Sequence, residues 1–164
     1  MCCWADRAPA RFQGASANIR ASLRITKIRH LSKIPVISIV DDDRSVRNAT
    51  NRLVRSLGFI AYAFASADEF LKSPYVNHTS CLIVDVRMPN MTGLELQSIL
   101  LGKGLATPMI FITAFPEQSD RARALEAGAV DFLTKPFDGK TMIRSLSAAL
   151  KGHSAETNEQ YREP

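Results

Sequence analysis

The stretch VISIVDDD, at residues 36–43, decides the fold class of this chain, because a short apolar run leads directly into three carboxylates. A run of about five residues dominated by β-branched side chains is typical of a strand buried on both faces. Asp43 is placed to cap a following helix, and Gly58 is placed to end it. The apolar positions of that helix, which share one face at helical spacing, are Val46, Ala49, Leu53 and Leu57.

The same strand-then-helix pattern recurs five times along the chain. The predicted strands are Val36–Val40, Phe59–Phe64, Cys81–Asp85, Met109–Thr113 and Val130–Thr134. The later helices are predicted from a capping box at Ser66, over about 94–101 and 117–127, and over a last segment that carries Met142, Ile143, Leu146, Ala149 and Leu150. Near-continuous apolar strands alternating with amphipathic helices predict an α/β fold with a parallel sheet covered on both faces.

The length and composition are those of a soluble globular protein. The chain has 164 residues, which allows one domain with tails but not two. No apolar run approaches the roughly 18 residues of a membrane span, so a membrane partner is not expected. The three cysteines, Cys2, Cys3 and Cys81, match neither a disulfide framework nor a metal-ligand spacing, and this usage fits a cytoplasmic, reducing location.

The formal charge of +5 is distributed unevenly. Residues 1–33 contain seven Lys and Arg side chains and one Asp, a net charge of +6, and the remaining residues therefore carry −1. A basic protein is often a nucleic-acid binder, but here the basicity belongs to a leading segment. We interpret this segment as a disordered extension or as the product of a start codon upstream of the natural one. Nucleic acid is therefore not expected as a partner of the folded part, and only residues 1–33 keep that alternative open.

Polar side chains stand at the ends of four predicted strands. Asp41 and Asp42 follow the first strand, Asp85 ends the third, Thr113 ends the fourth and Lys135 follows the fifth. The carboxyl ends of parallel strands meet at one edge of the sheet, where such folds bind ligands. We therefore expect these five side chains to converge.

Three converging carboxylates repel each other unless a cation lies among them. Magnesium is the expected cofactor, because it prefers carboxylate, water and phosphate oxygens. Lys135 adds a positive charge and Thr113 a hydroxyl donor, so together these groups suit a phosphoryl group attached to a carboxylate. Asp85 has no acidic neighbour in the sequence and is the candidate phosphoryl acceptor, whereas Asp41 and Asp42 are the candidate metal holders.

Four blocks of the sequence resemble the conserved blocks of bacterial response-regulator receiver domains. They are Asp41–Asp43, DVRMPNMTG at 85–93, Ile112–Ala114 and Lys135–Phe137, and the resemblance extends over about residues 34–151. The block GAVDFLTKPF at 128–137 is most similar to the receivers of nitrogen-fixation-type regulators. The resemblance implies a flavodoxin-like (βα)5 fold with strand order 2-1-3-4-5. It also implies transfer of a phosphoryl group from the phosphohistidine of a sensor histidine kinase to Asp85.

The resemblance further assigns roles at the site to single residues. It implies that Mg²⁺ is ligated by Asp42, by Asp85 and by the backbone carbonyl of Arg87, with Asp41 acting largely through water. It also implies that Lys135 binds the phosphoryl group and that the peptide bond between Lys135 and the following proline is cis.

Thr113 and Phe132 match the switch pair of the family. In that pair, the aromatic ring changes rotamer as the threonine moves toward the phosphoryl group. For Phe132, an ordinary core position near Val130 is the competing interpretation.

The partners implied by the resemblance are proteins. A sensor histidine kinase donates the phosphoryl group, and an unidentified downstream protein binds the surface formed by about residues 117–150. A phosphorylation-dependent homodimer is a further partner that the resemblance allows. The domain is expected to catalyse only its own phosphorylation and dephosphorylation, and it is not expected to be an enzyme with an external substrate. The competing interpretation is a receiver-shaped binding module that is never phosphorylated.

Proteins of this kind usually continue into a DNA-binding domain. Residues 152–164 are a polar tail that is too short for a domain. The expectation is therefore either a stand-alone receiver or a truncated chain, with no DNA-binding output domain present.

Overall fold

The computed structural model describes residues 34–156, and the side chains of residues 34–151. The basic extension predicted at 1–33 and the end of the predicted polar tail lie outside the described residues. The last helix continues to Glu156, beyond the domain boundary predicted at 151. No helix within residues 34–156 has both the length and the hydrophobicity needed to cross a membrane.

Five strands alternate with five helices along the described residues. The strands are β1 (Val36–Val40), β2 (Ile60–Phe64), β3 (Cys81–Asp85), β4 (Met109–Thr113) and β5 (Asp131–Thr134). The helices are α1 (Arg44–Ser56), α2 (Ala67–Lys72), α3 (Gly93–Gly102), α4 (Gln118–Glu126) and α5 (Gly139–Glu156). The predicted pattern is confirmed, although β2 and β5 each begin one residue later than predicted.

The five strands form one parallel sheet in the order β2-β1-β3-β4-β5. Every residue of the central strand β3 is buried. The winding direction reverses between β1 and β3, and a crevice at the carboxyl ends of the strands is expected at such a point. The flavodoxin-like fold and the strand order implied by the resemblance are confirmed.

The core is divided by the sheet into two apolar clusters. Successive residues of β3 point to opposite faces, so Leu82 and Val84 join one cluster, whereas Cys81 and Ile83 join the other. The first cluster is completed by α2, α3 and α4 through residues that include Phe70, Leu96 and Ala124. The second is completed by α1 and α5 through residues that include Val54, Met142 and Leu146. Both faces are covered, as near-continuous apolar strands require.

The predicted faces of α1 and α5 pack against the sheet, except for one residue of each. In α1, Thr50 and Val54 are buried and Ala49 is exposed, although Ala49 was a predicted face position. In α5, Ile143 is 42% exposed, whereas Met142 is completely buried. In both helices the apolar stripe is wider than the contact with the sheet, so a residue at its edge stays outside the core.

The predicted capping box at Ser66 forms only in part. The Ser66 hydroxyl accepts a hydrogen bond from the backbone amide of Glu69, but the Glu69 carboxylate accepts from Ala65 rather than from Ser66. A complete box starts α3 instead, where the side chains of Thr92 and Glu95 each accept from the backbone amide of the other. This box holds the loop that leads from the end of β3 into α3.

Candidate functional site

Three carboxylates come together at the carboxyl ends of β1 and β3. One oxygen from each of Asp41, Asp42 and Asp85 lies within 4.8 Å of the others. Asp41 and Asp85 are buried, while Asp42 is exposed. The site therefore has a closed side formed by the sheet and an open side at Asp42.

Lys135 supplies a positive charge to this cluster. Its Nζ lies 2.8 Å from Oδ2 of Asp41 and 3.1 Å from Oδ2 of Asp85. Its backbone amide donates to the carbonyl of Thr113 at 2.7 Å, which attaches the residue to the end of β4. The bond between Lys135 and Pro136 is cis, as predicted. One ammonium group thus bridges two of the three carboxylates.

The charges at the site are not fully compensated. Burial raises the pKa of Asp85, and the Asp41 carboxylate adds to the rise, although Lys135 opposes it. Burial also lowers the pKa of Lys135, but hydrogen bonds and charge from Asp41 and Asp85 outweigh burial and raise it overall. The site therefore holds its lysine charged and still disfavours negative charge on Asp85, which is the condition that an additional cation would relieve.

The loop between β1 and α1 is held by hydrogen bonds to its own backbone. The Asp43 amide donates to Oδ1 of Asp41 at 2.9 Å, and the Asp43 carboxylate caps α1 by accepting from Ser45 and Val46. Nη1 of Arg47 donates to the carbonyls of Asp41 at 2.6 Å and Asp42 at 3.1 Å.

The contribution of Arg47 was missed by the sequence interpretation. The available signal is its place in the first turn of α1, where the helix N-terminus makes a positive charge unfavourable. An arginine at such a position is stabilised by a nearby acceptor, and for Arg47 the two loop carbonyls provide it.

Thr113 reaches the same edge of the sheet, but its hydroxyl is bonded to its own loop. The side chain is buried, and Oγ1 lies 3.2 Å from the amide nitrogen and 3.3 Å from the carbonyl oxygen of Phe115. Phe132 is 3% exposed and stacks on Phe111 with the ring centroids 6.1 Å apart. This burial fits the core interpretation of Phe132, and its switch role stays a prediction.

Arg87 follows Asp85 by two residues and turns its side chain away from the carboxylates. Its guanidinium forms an ion pair with Glu117 and lies 3.8 Å from Oδ2 of Asp120. The sequence interpretation assigned only the backbone carbonyl of Arg87, and nothing in the sequence indicates a contact across 30 residues.

The donor set suits a hard divalent cation. It offers only oxygen, three carboxylates face one ammonium group, and one carboxylate is fully buried. Magnesium binds such oxygen sets while keeping several waters, for which the open side at Asp42 leaves room. The residues present therefore fit Mg²⁺.

The loop after Asp85, residues 86–92, is called the acceptor loop, and the end of β3 packs tightly against α3 at Gly93. Its amide donates to the carbonyl of Val86 at 3.0 Å. A Cβ added at Gly93 would overlap the carbonyl oxygen of Asp85 and lie 3.1 Å from a methyl group of Val84. A backbone oxygen cannot move aside as the end of a side chain can, so only glycine fits here.

We expect Gly93→Ala to lower the free energy of unfolding by about 1–3 kcal/mol, the usual cost of overpacking a core position. The measurement is urea unfolding in EDTA. Gly102→Ala is the matched control, because it lies in the same helix with open space around its Cβ. The control is expected to be neutral or stabilising. Equal stability of the two variants would contradict the prediction.

Comparison with known proteins agrees with this geometry. The family model described as the response regulator receiver domain matches residues 37–147. The response regulator protein TodT of Pseudomonas putida is 43% identical over 127 residues, which cover 77% of this chain and 56% of that protein. The transcriptional regulatory protein FixJ of Azorhizobium caulinodans is 36% identical over 124 residues, which cover 76% of this chain and 58% of that protein. The chain thus spans about half the length of the curated relatives it matches.

A solved structure with a sequence identity similar to that of TodT has the same fold. The crystal structure of a response regulator receiver protein from Burkholderia phymatum is 43% identical, with a TM-score of 0.62, and the match covers 71% of this chain and 95% of that one. FixJ represents the kind of regulator that the sequence resemblance indicated, although TodT shares more identical residues. The family match, these relatives and the strand-end site agree, and the chain belongs to the response regulator receiver domains of two-component systems.

Proposed function

We propose that Asp85 accepts a phosphoryl group from the phosphohistidine of a sensor histidine kinase, in a reaction that depends on Mg²⁺. The observation that supports this most directly is the buried Asp85 carboxylate, which shares the Lys135 ammonium with Asp41 inside a cluster of three carboxylates. A structural ion pair would need one carboxylate, and the surplus negative charge is useful only when a cation and a phosphoryl group are to be bound.

The proposed metal ligands are the carboxylates of Asp42 and Asp85 and the backbone carbonyl of Arg87, with Asp41 acting through water. When bound, Mg²⁺ neutralises charge on the carboxylates and on the phosphoryl oxygens. Arg47 and the Asp43 amide keep the loop that carries Asp41 and Asp42 in place, so this part of the donor set is arranged before any ligand arrives.

In the proposed transfer, an oxygen of Asp85 forms a bond to phosphorus and the bond between phosphorus and the histidine nitrogen breaks. The electron pair of the broken bond stays on the imidazole. Lys135 is already hydrogen-bonded to Asp85 and faces the charge carried by the transferred group, so it needs little rearrangement. The Thr113 hydroxyl is proposed to exchange its bonds with Phe115 for a bond to the phosphoryl group.

A surface for the kinase adjoins the site. An apolar groove of about 470 Å³ runs beside Lys135, with a lining that includes Val46, Leu53, Ala114 and Phe137. The phosphohistidine must come within bonding distance of Asp85, so the donor protein has to cover this edge of the domain. An apolar groove next to the acceptor provides the contact area for that approach.

The proposed output is a change in protein contacts of the surface formed by residues 117–150, either with a downstream protein or with a second copy of the chain. The domain would catalyse only its own phosphorylation and dephosphorylation, in the cytoplasm. An unphosphorylated binding module is the alternative. It would have no use for the mutual repulsion of Asp41, Asp42 and Asp85, which costs folding stability.

The test is the intact mass of the protein after incubation with acetyl phosphate and Mg²⁺. A gain of one phosphoryl mass is expected, absent with EDTA and mapped to the peptide that contains Asp85. A folded, Mg²⁺-binding protein that gains no mass either from acetyl phosphate or from phosphorylated histidine kinases would support the binding-module alternative instead.

A further inference from the structure

Helix α4 is attached to the domain by very little apolar contact. Ala124 is its one buried residue, while Leu125 is 39% exposed. The neighbouring helix α3 has five buried residues over a similar length. Apolar burial is the main source of helix docking energy, so polar side chains must contribute much of what holds α4 in place.

Three polar contacts hold α4, one at each end and one near the middle. At the C-terminal end, Nε2 of Gln97 donates to the carbonyls of Ala124 and Ala127, both at 3.2 Å. Near the middle, Nη1 of Arg121 donates to the carbonyl of Phe132 at 2.8 Å. The Arg121 guanidinium also lies 5.8 Å above the Phe132 ring centroid.

The third contact, at the N-terminal end, differs because it starts in the acceptor loop. Arg87 pairs with Glu117, the residue directly before α4, and its guanidinium also lies 3.8 Å from Oδ2 of Asp120 in the first turn of the helix. The Glu117 side chain makes no capping bond to α4, so its described contact is with Arg87. The pair therefore connects the loop after Asp85 to the far end of the segment that begins at Thr113.

We propose that the ion pair between Arg87 and Glu117 is a clasp that holds residues 113–117 and the start of α4 in the unphosphorylated arrangement, with Arg87 as a positioning residue. This inference rests on the proposed phosphorylation of Asp85. The Thr113 hydroxyl can donate to a phosphoryl group on Asp85 only after its proton leaves the carbonyl of Phe115. Loss of this bond frees residues 113–117 to shift, and the clasp holds the far end of that segment.

The strength of the clasp suits a contact that has to open. The side chains of Arg87 and Glu117 are 50% and 56% exposed, so water and salt screen the pair. Exposed pairs of this kind change an equilibrium by about two- to fivefold. That is enough to bias the position of the loop and too little to prevent phosphorylation.

The test is a double-mutant cycle on the rate of phosphoryl uptake from acetyl phosphate, with Arg87→Gln, Glu117→Gln and the double variant. Each single variant is expected to be phosphorylated about two- to fivefold faster than the wild type, and the double variant no faster than Arg87→Gln, which also removes the contact with Asp120. Hydrogen exchange of the α4 amides is expected to speed up in the same variants. Glu126→Gln is the matched control, because it removes the same charge at the other end of α4.

The outcomes separate this inference from the proposed function. Uptake at the wild-type rate in all variants would overturn the clasp and leave the phosphorylation of Asp85 standing. Additive effects, or an equal effect of Glu126→Gln, would also overturn it, because the cause would then be charge in general rather than this pair. A wild-type protein that takes up no phosphoryl group would refute the proposed function and the clasp with it.

Discussion

Asp85→Asn is expected to abolish phosphoryl uptake and at the same time to stabilise the folded domain in the absence of Mg²⁺. The loss of uptake follows because an amide is not a nucleophile toward phosphorus and is a poorer ligand for Mg²⁺ than a carboxylate. The gain in stability follows from the charges around Asp85, of which two are negative and one is positive.

The direction of the stability change depends on whether the other two carboxylates repel Asp85 more strongly than Lys135 attracts it. At an effective dielectric constant of about 20, two negative charges no more than 4.8 Å apart repel by at least roughly 3.5 kcal/mol, and an ion pair at 3.1 Å attracts by roughly 5 kcal/mol. Asp41 and Asp42 together therefore repel Asp85 somewhat more than Lys135 attracts it, and burial adds a further cost. Screening at the exposed Asp42 reduces the difference, which leaves an expected gain of about 1 kcal/mol in the free energy of unfolding.

The two measurements are intact mass after acetyl phosphate treatment and urea unfolding in EDTA. Asp68→Asn is the control, because Asp68 is an exposed carboxylate on α2, away from the site. It is expected to leave uptake unchanged. A variant Asp85→Asn that still gains one phosphoryl mass, or that is clearly less stable than the wild type, would show that the charges at the site act differently from this description.

Lys135→Met is expected to change stability in the opposite direction. In EDTA, the free energy of unfolding should fall by about 3 kcal/mol. The reason is the carboxylate of Asp41, which is fully buried and depends on the ammonium of Lys135. Among the described residues, Lys135 is also the one Lys or Arg side chain paired with Asp85. Its removal leaves three carboxylates with no side-chain cation, a buried uncompensated charge of the kind that is most costly.

Mg²⁺ is expected to restore much of the lost stability, because it would neutralise the carboxylates in place of the Lys135 ammonium. The variant should therefore bind Mg²⁺ more tightly than the wild type while it takes up phosphoryl groups more slowly. The measurements are urea unfolding over a Mg²⁺ titration and the rate of uptake. Lys140→Met, at an exposed position on α5, is the control. Wild-type stability of Lys135→Met in EDTA would contradict the prediction.

The position of the site was predictable because it depends on few variables. Strand ends can be located from apolar runs, and parallel strands bring their carboxyl ends to one edge whatever the loops do. For that reason Asp41, Asp85 and Lys135 could be expected together from sequence alone. The structure brings them together although they are distant along the chain.

The side-chain contacts around the site could not be predicted in the same way. The pairing of Arg87 with Glu117 depends on two loop conformations and on two long flexible side chains, none of which has a sequence signal. Local patterns also do not show how wide the contact of a helix with the sheet is. This is why Ala49 and Ile143 were expected at the core and lie outside it.

The site takes its cation from a residue just after the last strand of the sheet to be synthesised. Lys135 follows β5, an edge strand that is also the C-terminal strand of the sheet. A nascent chain that has docked β1 to β4 already carries Asp41 and Asp85 but lacks the ammonium that pairs with both. On the proposed function, a partly translated or partly folded receiver is therefore a poor phosphate acceptor, and the signal reaches only molecules whose sheet is complete.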